Sequence, residues 1–429
     1  MATPDTNASP HADVRRTIDA VWRIESARLI AGLVRMVRDV GLAEELAQDA
    51  LVAALERWPG DGVPGNPGAW LMATAKHRAI DRLRRGKLIQ GKHDELAYAI
   101  EHQQQDADAK VESSLDDPIG DDLLRLVFIA CHPVLSTDAQ VALTLRLLGG
   151  LTTDEIARAF LVPEPTIAQR IVRAKRTLAD AQVPFEVPRG DALVARLSSV
   201  LAVLYLVFNE GYAATAGDDW MRPQLCEEAL RLGRVVAGLM PGEPEVYGLL
   251  ALMEIQASRA HARTGPGGEP VLLLDQDRGR WDRLLIRRGL AALDRAQALG
   301  GARGPYALQA AIAACHARAV DADETDWARI AGLYAVLAQV APSPVVELNR
   351  AVAVSMAAGP AAGLALVDAI AHEPALQRYH LLPSVRGELL SRLGRSHEAR
   401  AEFERAAALT RNERERGLLR QRAQACVSR

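Results

Sequence analysis

The sequence predicts an all-α protein, and three observations carry that reading. Hydrophobic residues make up 49% of the chain, yet aromatic residues make up only 4%. Alanine, leucine, arginine and glutamate fill long stretches with few β-branched runs, a composition that suits helices better than strands. Apolar residues recur at three- and four-residue spacing through most of the 429 residues, a length that divides into about three domains. Strands are not expected to matter.

Three helices are predicted first: one from Val14 to Val40, a second from Leu42 to Trp58 and a third from Ala69 to about Lys87. In the second, Leu42, Leu46, Leu51 and Leu55 form the expected core stripe, while Glu44, Glu45, Gln48, Asp49, Glu56 and Arg57 take other faces. The run 59–68 is dense in proline and glycine and is expected to be a loop. Residues 70–90 hold six lysines and arginines against one acid, Asp81. Leu71, Ala75, Ile80 and Leu83 supply a partial core stripe there, leaving Lys76, Arg78, Arg82 and Arg85 for phosphates or exposed bases.

Between Asp94 and Asp122 stand ten acidic residues and one base, Lys110, which predicts a solvated linker. A second helical unit follows to about Ala181. Gly149 and Gly150 close one of its helices, and Thr152 with Glu155 makes a capping-box start for the next. Residues 151–176 then read as helix, tight turn and helix. In the second of these helices Thr166, Gln169, Arg170 and Arg173 share one stripe, and Ile167, Ile171, Ala174 and Leu178 share another. The apolar stripe is expected to pack inward, and arginine and glutamine on the polar stripe suit guanine and adenine edges in a major groove.

The remainder, 184–429, is predicted helical and broken by turns such as 264–268. Its longest apolar run, 197–208, is expected to be a buried helix too short to span a bilayer. Gly387, Gly394, Ala399, Phe403 and Ala406 fall where tetratricopeptide repeats carry small and aromatic packing residues. Gly359 precedes Gly394 by 35 residues, close to the period of that repeat, so a stacked array of helix pairs is expected from residue 344 on.

Catalytic and metal chemistry find little support. Cys131, Cys226, Cys315 and Cys426 lack close pairing, and in the Cys131-His132 and Cys315-His316 neighbours the side chains diverge by about 100° on a helix, so no metal and no cofactor are expected. No HExxH, GxSxG or phosphate-loop motif occurs. The polar set Asn209, Glu210, Tyr212, Asp275, Asp277, Arg278, Trp281 and Asp282 reads either as a ligand pocket or as a structural network. A net charge of −3 carries no overall nucleic-acid signature. The first fourteen residues lack a signal-peptide core, from which a cytoplasmic location is expected.

Taken in order, these segments resemble a known family. Residues 70–85 resemble the downstream-promoter-reading helix of sigma domain two, residues 43–58 resemble its polymerase-clamp-binding helix, and residues 123–176 resemble sigma domain four. With the phrases FIACHP at 128–133, LVPEPTIAQR at 161–170, LYLVFNEGY at 204–212 and DQDR at 275–278, the chain resembles extracytoplasmic-function (ECF) sigma factors of the sigma-70 family that carry a long tetratricopeptide-like extension. The resemblance implies sigma region 2 at 11–90, an acidic linker at 91–120, a region 4 helix-turn-helix at 121–183 and the helical extension at 184–429. It implies −35 contacts from Thr166, Gln169, Arg170 and Arg173, and −10 contacts near Asn66, Lys76, His77, Arg78, Arg82 and Arg85. Polymerase contact falls to Glu45, Gln48, Asp49 and Arg57. The implied partners are core RNA polymerase, promoter DNA and a protein or small-molecule partner of the extension that controls activity, with no membrane and no catalysis. A helix-turn-helix regulator with a ligand-sensing helical domain is the alternative reading.

Overall fold

The computed structural model describes residues 10–89 and 118–426. Among them it forms eighteen α-helices in two compact units, Met1–Val203 and Leu204–Arg429, as the all-α prediction requires.

The first unit opens with helices Pro10–Val37, Val40–Asp61 and Pro67–Ile89, which pack pairwise around Ile30, Leu33, Leu46, Trp58 and Leu71. The second helix departs from expectation in two ways. It buries an alanine stripe, Ala43, Ala47, Ala50, Ala53 and Ala54, while Leu55 is 39% exposed and Leu42 and Leu51 are half-buried. Small side chains let the neighbouring helices approach closely, so of the expected leucines only Leu46 keeps a fully buried position. It also runs through Pro59 to Asp61, closed by the Gly62 N–H donating to the Trp58 carbonyl at 3.0 Å, and the loop shrinks accordingly. The φ of a proline is already helical, and one lost bond near an exposed end costs little. On the third helix Leu71, Ala75 and Ala79 are buried, whereas Leu83, expected in the core, is 40% exposed.

Most of the expected linker lies outside the described residues. Asp122 does not behave as linker: it is buried on helix Pro118–Ala130, accepts from Arg125 at 2.7 Å and pairs with Arg35 at 3.3 Å. Two arginines make that burial tolerable. Helices Thr137–Leu147, Thr153–Phe160 and Glu164–Asp180 follow. The capping box is present, with the Thr152 hydroxyl accepting from the Glu155 N–H at 3.1 Å and the Glu155 carboxylate accepting from the Thr152 N–H at 2.8 Å. Gly150 (φ +66°) sets the turn before it.

Helix Asp191–Tyr212 begins in the first unit and ends in the second. At 22 residues it is long and apolar enough, by length and composition alone, to cross a membrane, which corrects the expectation of a segment too short to do so. One of its faces is buried through Leu197, Val200, Leu201, Leu204, Val207 and Phe208. In the first unit Arg196 donates to the Phe128 carbonyl at 2.9 Å and Ser199 to the Cys131 carbonyl at 2.8 Å.

The second unit is built from successive short helices. Gly359 (φ +96°) joins Pro344–Ala358 to Pro360–Ile370, and Gly394 (φ +77°) lies between Leu381–Arg392 and Ser396–Leu409, so both repeat glycines are left-handed turn residues. A Cβ at Gly387 would lie 3.0 Å from the buried Phe403 ring, which is why the site between Ala399 and Phe403 is left to glycine. Strands matter little, as expected: among the described residues the one sheet pairs Ala216–Gly217 in parallel with Arg411–Asn412. The Asn412 amide donates to the carbonyls of Ala214 at 3.1 Å and Asp219 at 2.8 Å, tying the last helices of the unit to its beginning.

Candidate nucleic-acid interface

Helix Glu164–Asp180 divides its surface as its sequence suggests. Ile167, Ile171, Ala174 and Leu178 are buried, while Thr166, Gln169 and Arg173 are exposed and Arg170 is half-buried. The turn before it is made by Leu161 in a left-handed conformation (φ +52°), which swings the helix away from Thr153–Phe160. Thr166, Gln169, Arg170 and Arg173 all line one groove of about 390 Å³, together with Ser136 and Asp138. Asp138 pairs with Arg170 at 3.1 Å.

Lys175, between the groove-lining Ala174 and Thr177, turns the other way. It pairs with Glu44, which also accepts from Arg146 Nε at 2.7 Å and from Gln48 at 2.7 Å. Glu44 is only 3% exposed. A carboxylate so deeply buried requires this many donors. Neither Glu44 nor Arg146 stood out in the sequence, and the available signal was an acid flanked by the alanines that form the buried stripe. A second link, Arg23 to Glu155 at 3.0 Å, ties helix Pro10–Val37 to the capping box.

The basic helix Pro67–Ile89 is started by Asn66, whose side-chain oxygen accepts from the Ala69 N–H at 3.1 Å, and by an edge-to-face contact of Trp58 and Trp70 at 5.4 Å. Arg78 pairs with Asp49 at 3.8 Å and Arg82 with Glu45 at 3.4 Å. The structure thereby brings two expected polymerase-contact acids onto two expected DNA-contact arginines. Every partner in these pairs is more than a third exposed, so each pair is worth well under about 1 kcal/mol and exchanges easily. Lys76 is half-buried, His77 and Arg57 are exposed, and Gln48 is committed to Glu44. Arg85 lies on the helix, but its side chain is outside the described residues.

The polar set of the second unit is dispersed. Glu210 is buried against Arg222 and accepts from the Thr215 hydroxyl at 2.9 Å. Tyr212 lies beneath the Arg263 guanidinium, 3.6 Å from its ring centre, and its hydroxyl accepts from Arg259. Arg278 reaches the carbonyls of His316 at 2.5 Å and Ala319 at 2.8 Å, with Trp281 buried against it. Asp277 and Asp282 are exposed and cap the N–H groups of Gly279 and Leu284, and Asp275 is exposed as well. Asn209 lines one cavity and Tyr212 another. Arg222, Arg259 and Arg263, which the sequence reading passed over, do much of the binding within this set.

The cysteines are thiols. Burial pushes Cys131 and Cys226 up to about 12, and among the described residues no group of three or more His, Cys, Asp or Glu gathers as a metal site would require.

Comparison with known proteins matches residues 24–88 to Sigma-70 region 2, residues 125–178 to Sigma-70 region 4, and residues 196–297 to a family of unknown function, DUF6596. The chain is 44% identical over 396 residues to the uncharacterized protein R00370 of Rhizobium meliloti, covering 91% of each. It is 31% identical to the ECF RNA polymerase sigma factor SigK of Mycobacterium ulcerans over 154 residues, which are 35% of this chain and 77% of that one. It is 26% identical to the probable ECF RNA polymerase sigma factor SigI of Mycobacterium tuberculosis over 182 residues, 42% of this chain and 60% of that one. No solved structure matches. With both sigma-70 regions in order ahead of a long helical extension, the chain belongs to the ECF sigma factors of the sigma-70 family.

Proposed function

We propose that this chain binds core RNA polymerase, recognises promoter −10 and −35 elements and initiates transcription from the cytoplasm, with its C-terminal extension controlling that activity. The observation that carries the reading is the gathering of Thr166, Gln169, Arg170 and Arg173 along one groove of helix Glu164–Asp180, above a fully buried apolar stripe. Arginine donates two bonds to guanine and glutamine pairs with adenine, so this stripe reads the −35 element. Asn66, Lys76, His77, Arg78, Arg82 and Arg85 hold the melted −10 strand. Separating it costs roughly a few kcal/mol per unstacked step, offset by phosphate contacts and stacking that exist only on the open strand.

The ion pairs of the first unit suggest how the two tasks couple. Phosphates taking Arg78 and Arg82 release Asp49 and Glu45, which with Gln48 and Arg57 then face polymerase. Sigma factors catalyse nothing themselves; polymerase makes the RNA.

Run-off transcription with core polymerase tests the reading. Arg170→Ala and Arg173→Ala should each weaken promoter-specific transcription by about 1 to 3 kcal/mol while leaving polymerase binding intact. Unchanged promoter preference in both would remove the helix from the −35 role. DNA binding with no transcription at all would favour the ligand-sensing regulator instead.

A further inference from the structure

The second unit encloses a cavity of about 540 Å³, within the range that holds small-molecule ligands. Its wall is assembled from side chains far apart in sequence, from Tyr205 to Tyr379. Arg259 and His316 stand in that wall, and it contains no aspartate or glutamate.

Arg259 donates to Tyr212 and Gln256, yet no carboxylate pairs with it among the described residues, and its buried Nε has no hydrogen-bond partner there. His316 is 8% exposed, sits edge-on to Trp327 at 5.1 Å, and its buried Nδ1 likewise has no partner. Burial together with Arg259 and Arg278 pushes this imidazole down to about 4, so it is neutral near pH 7 and Arg259 supplies the only formal positive charge in the wall. Gln309, held by the Tyr205 hydroxyl at 3.1 Å, and Asn349 add amides, and Tyr205 and Tyr334 add flat apolar surface. A half-buried guanidinium without a counter-ion among the described residues, facing amides and tyrosines, is a receptor for an oxyanion on an apolar body.

We infer that this cavity binds a small organic anion whose carboxylate or phosphate pairs with Arg259 and whose body lies between Tyr205 and Tyr334. The assignment concerns the second unit alone and stands whether or not the chain acts on promoters.

The test is calorimetric titration of the full chain with four anions, 4-hydroxybenzoate, phenyl phosphate, citrate and adenosine monophosphate, beside the uncharged 4-hydroxybenzamide and adenosine. The expected result is saturable binding of at least one anion, with its uncharged counterpart at least about tenfold weaker. The arm that binds tells carboxylate from phosphate. Arg259→Gln and Asn349→Leu should each weaken that anion by about tenfold or more, while the exposed Arg400→Gln leaves it unchanged. If Arg259→Gln fails to fold, Asn349→Leu decides. Absence of saturable binding by all four anions, or binding that survives the cavity substitutions, overturns the inference. So does a peptide that binds through its free C-terminal carboxylate and displaces every small anion, because the occupant would then be a protein end.

Discussion

Glu44 is a buried carboxylate on which Arg146, Lys175 and Gln48 all converge. Removing it strands two cations with little solvent around them. Glu44→Ala should therefore cost about 3 kcal/mol, read as a fall in the urea midpoint of the tryptophan-monitored transition. A loss under about 1 kcal/mol would mean that Arg146 and Lys175 rehydrate freely. In the sequence Glu44 looked like any solvated acid, since an alanine-rich helix gives no contrast between its faces. Thr166, Gln169, Arg170 and Arg173 were legible because isoleucines and a leucine mark the opposite stripe unambiguously. His316 carries a prediction in pH. Its unfolded form takes up a proton near 6.5, but burial beside Arg259 and Arg278 holds the folded form down to about 4. Between those values the unfolded state binds more protons, so stability falls as pH drops through the window, by about 3 kcal/mol at its acid end. His316→Phe should flatten that part of the urea-midpoint profile, and an unchanged slope would place its origin in other groups.

Among the elements, the helix-turn-helix was readable in its cap, its turn and its two stripes, all local features, while its last helix runs on to Asp180, past the Arg176 read from the sequence. Boundaries failed where local rules conflict, as at Pro59, which is a breaker in general and harmless in a final turn. The predicted stripes held only in part on helices Val40–Asp61 and Pro67–Ile89, at Leu46, Leu71 and Ala75 but not at Leu55 and Leu83, because close helix approach rewards alanine, and nothing in a single helix reveals how near its neighbour comes. Two glycines of the second unit separate two physical roles that one prediction can test. Gly387 lies against Phe403, so Gly387→Val should overpack the pair of helices and destabilise by about 1 to 3 kcal/mol. Gly417, on exposed helix Glu413–Ala425, meets nothing within 4 Å, and Gly417→Ala should stabilise by about 0.5 to 1 kcal/mol. Thermal unfolding of both variants that moved in the same direction would contradict the packing assigned to Gly387.

At the scale of the whole molecule the sequence reveals least, because contacts between distant segments leave no periodic trace. Asn412 bonds to Ala214 and Asp219, 198 and 193 residues away, and no motif announced it. The same residue accepts from the Arg414 and Glu415 N–H groups and so starts the final helix. Asn412→Ala therefore loses a helix cap and two carbonyl partners, one of them buried, at about 2 to 4 kcal/mol. Ending the chain at His380 removes these bonds along with the final helices, and thereby uncovers the start of the second unit near Glu210 and Arg222. If the extension controls transcription as a folded body, promoter-dependent transcription should fall in the truncated chain and also in Asn412→Ala, in step with each variant's loss of thermal stability. A chain ending at Tyr212 keeps Arg196 and Ser199 on their carbonyls and so retains the ties within the first unit. Full transcription from that chain would show that the extension is dispensable, whereas loss of transcription with polymerase binding retained would place its action after assembly with polymerase.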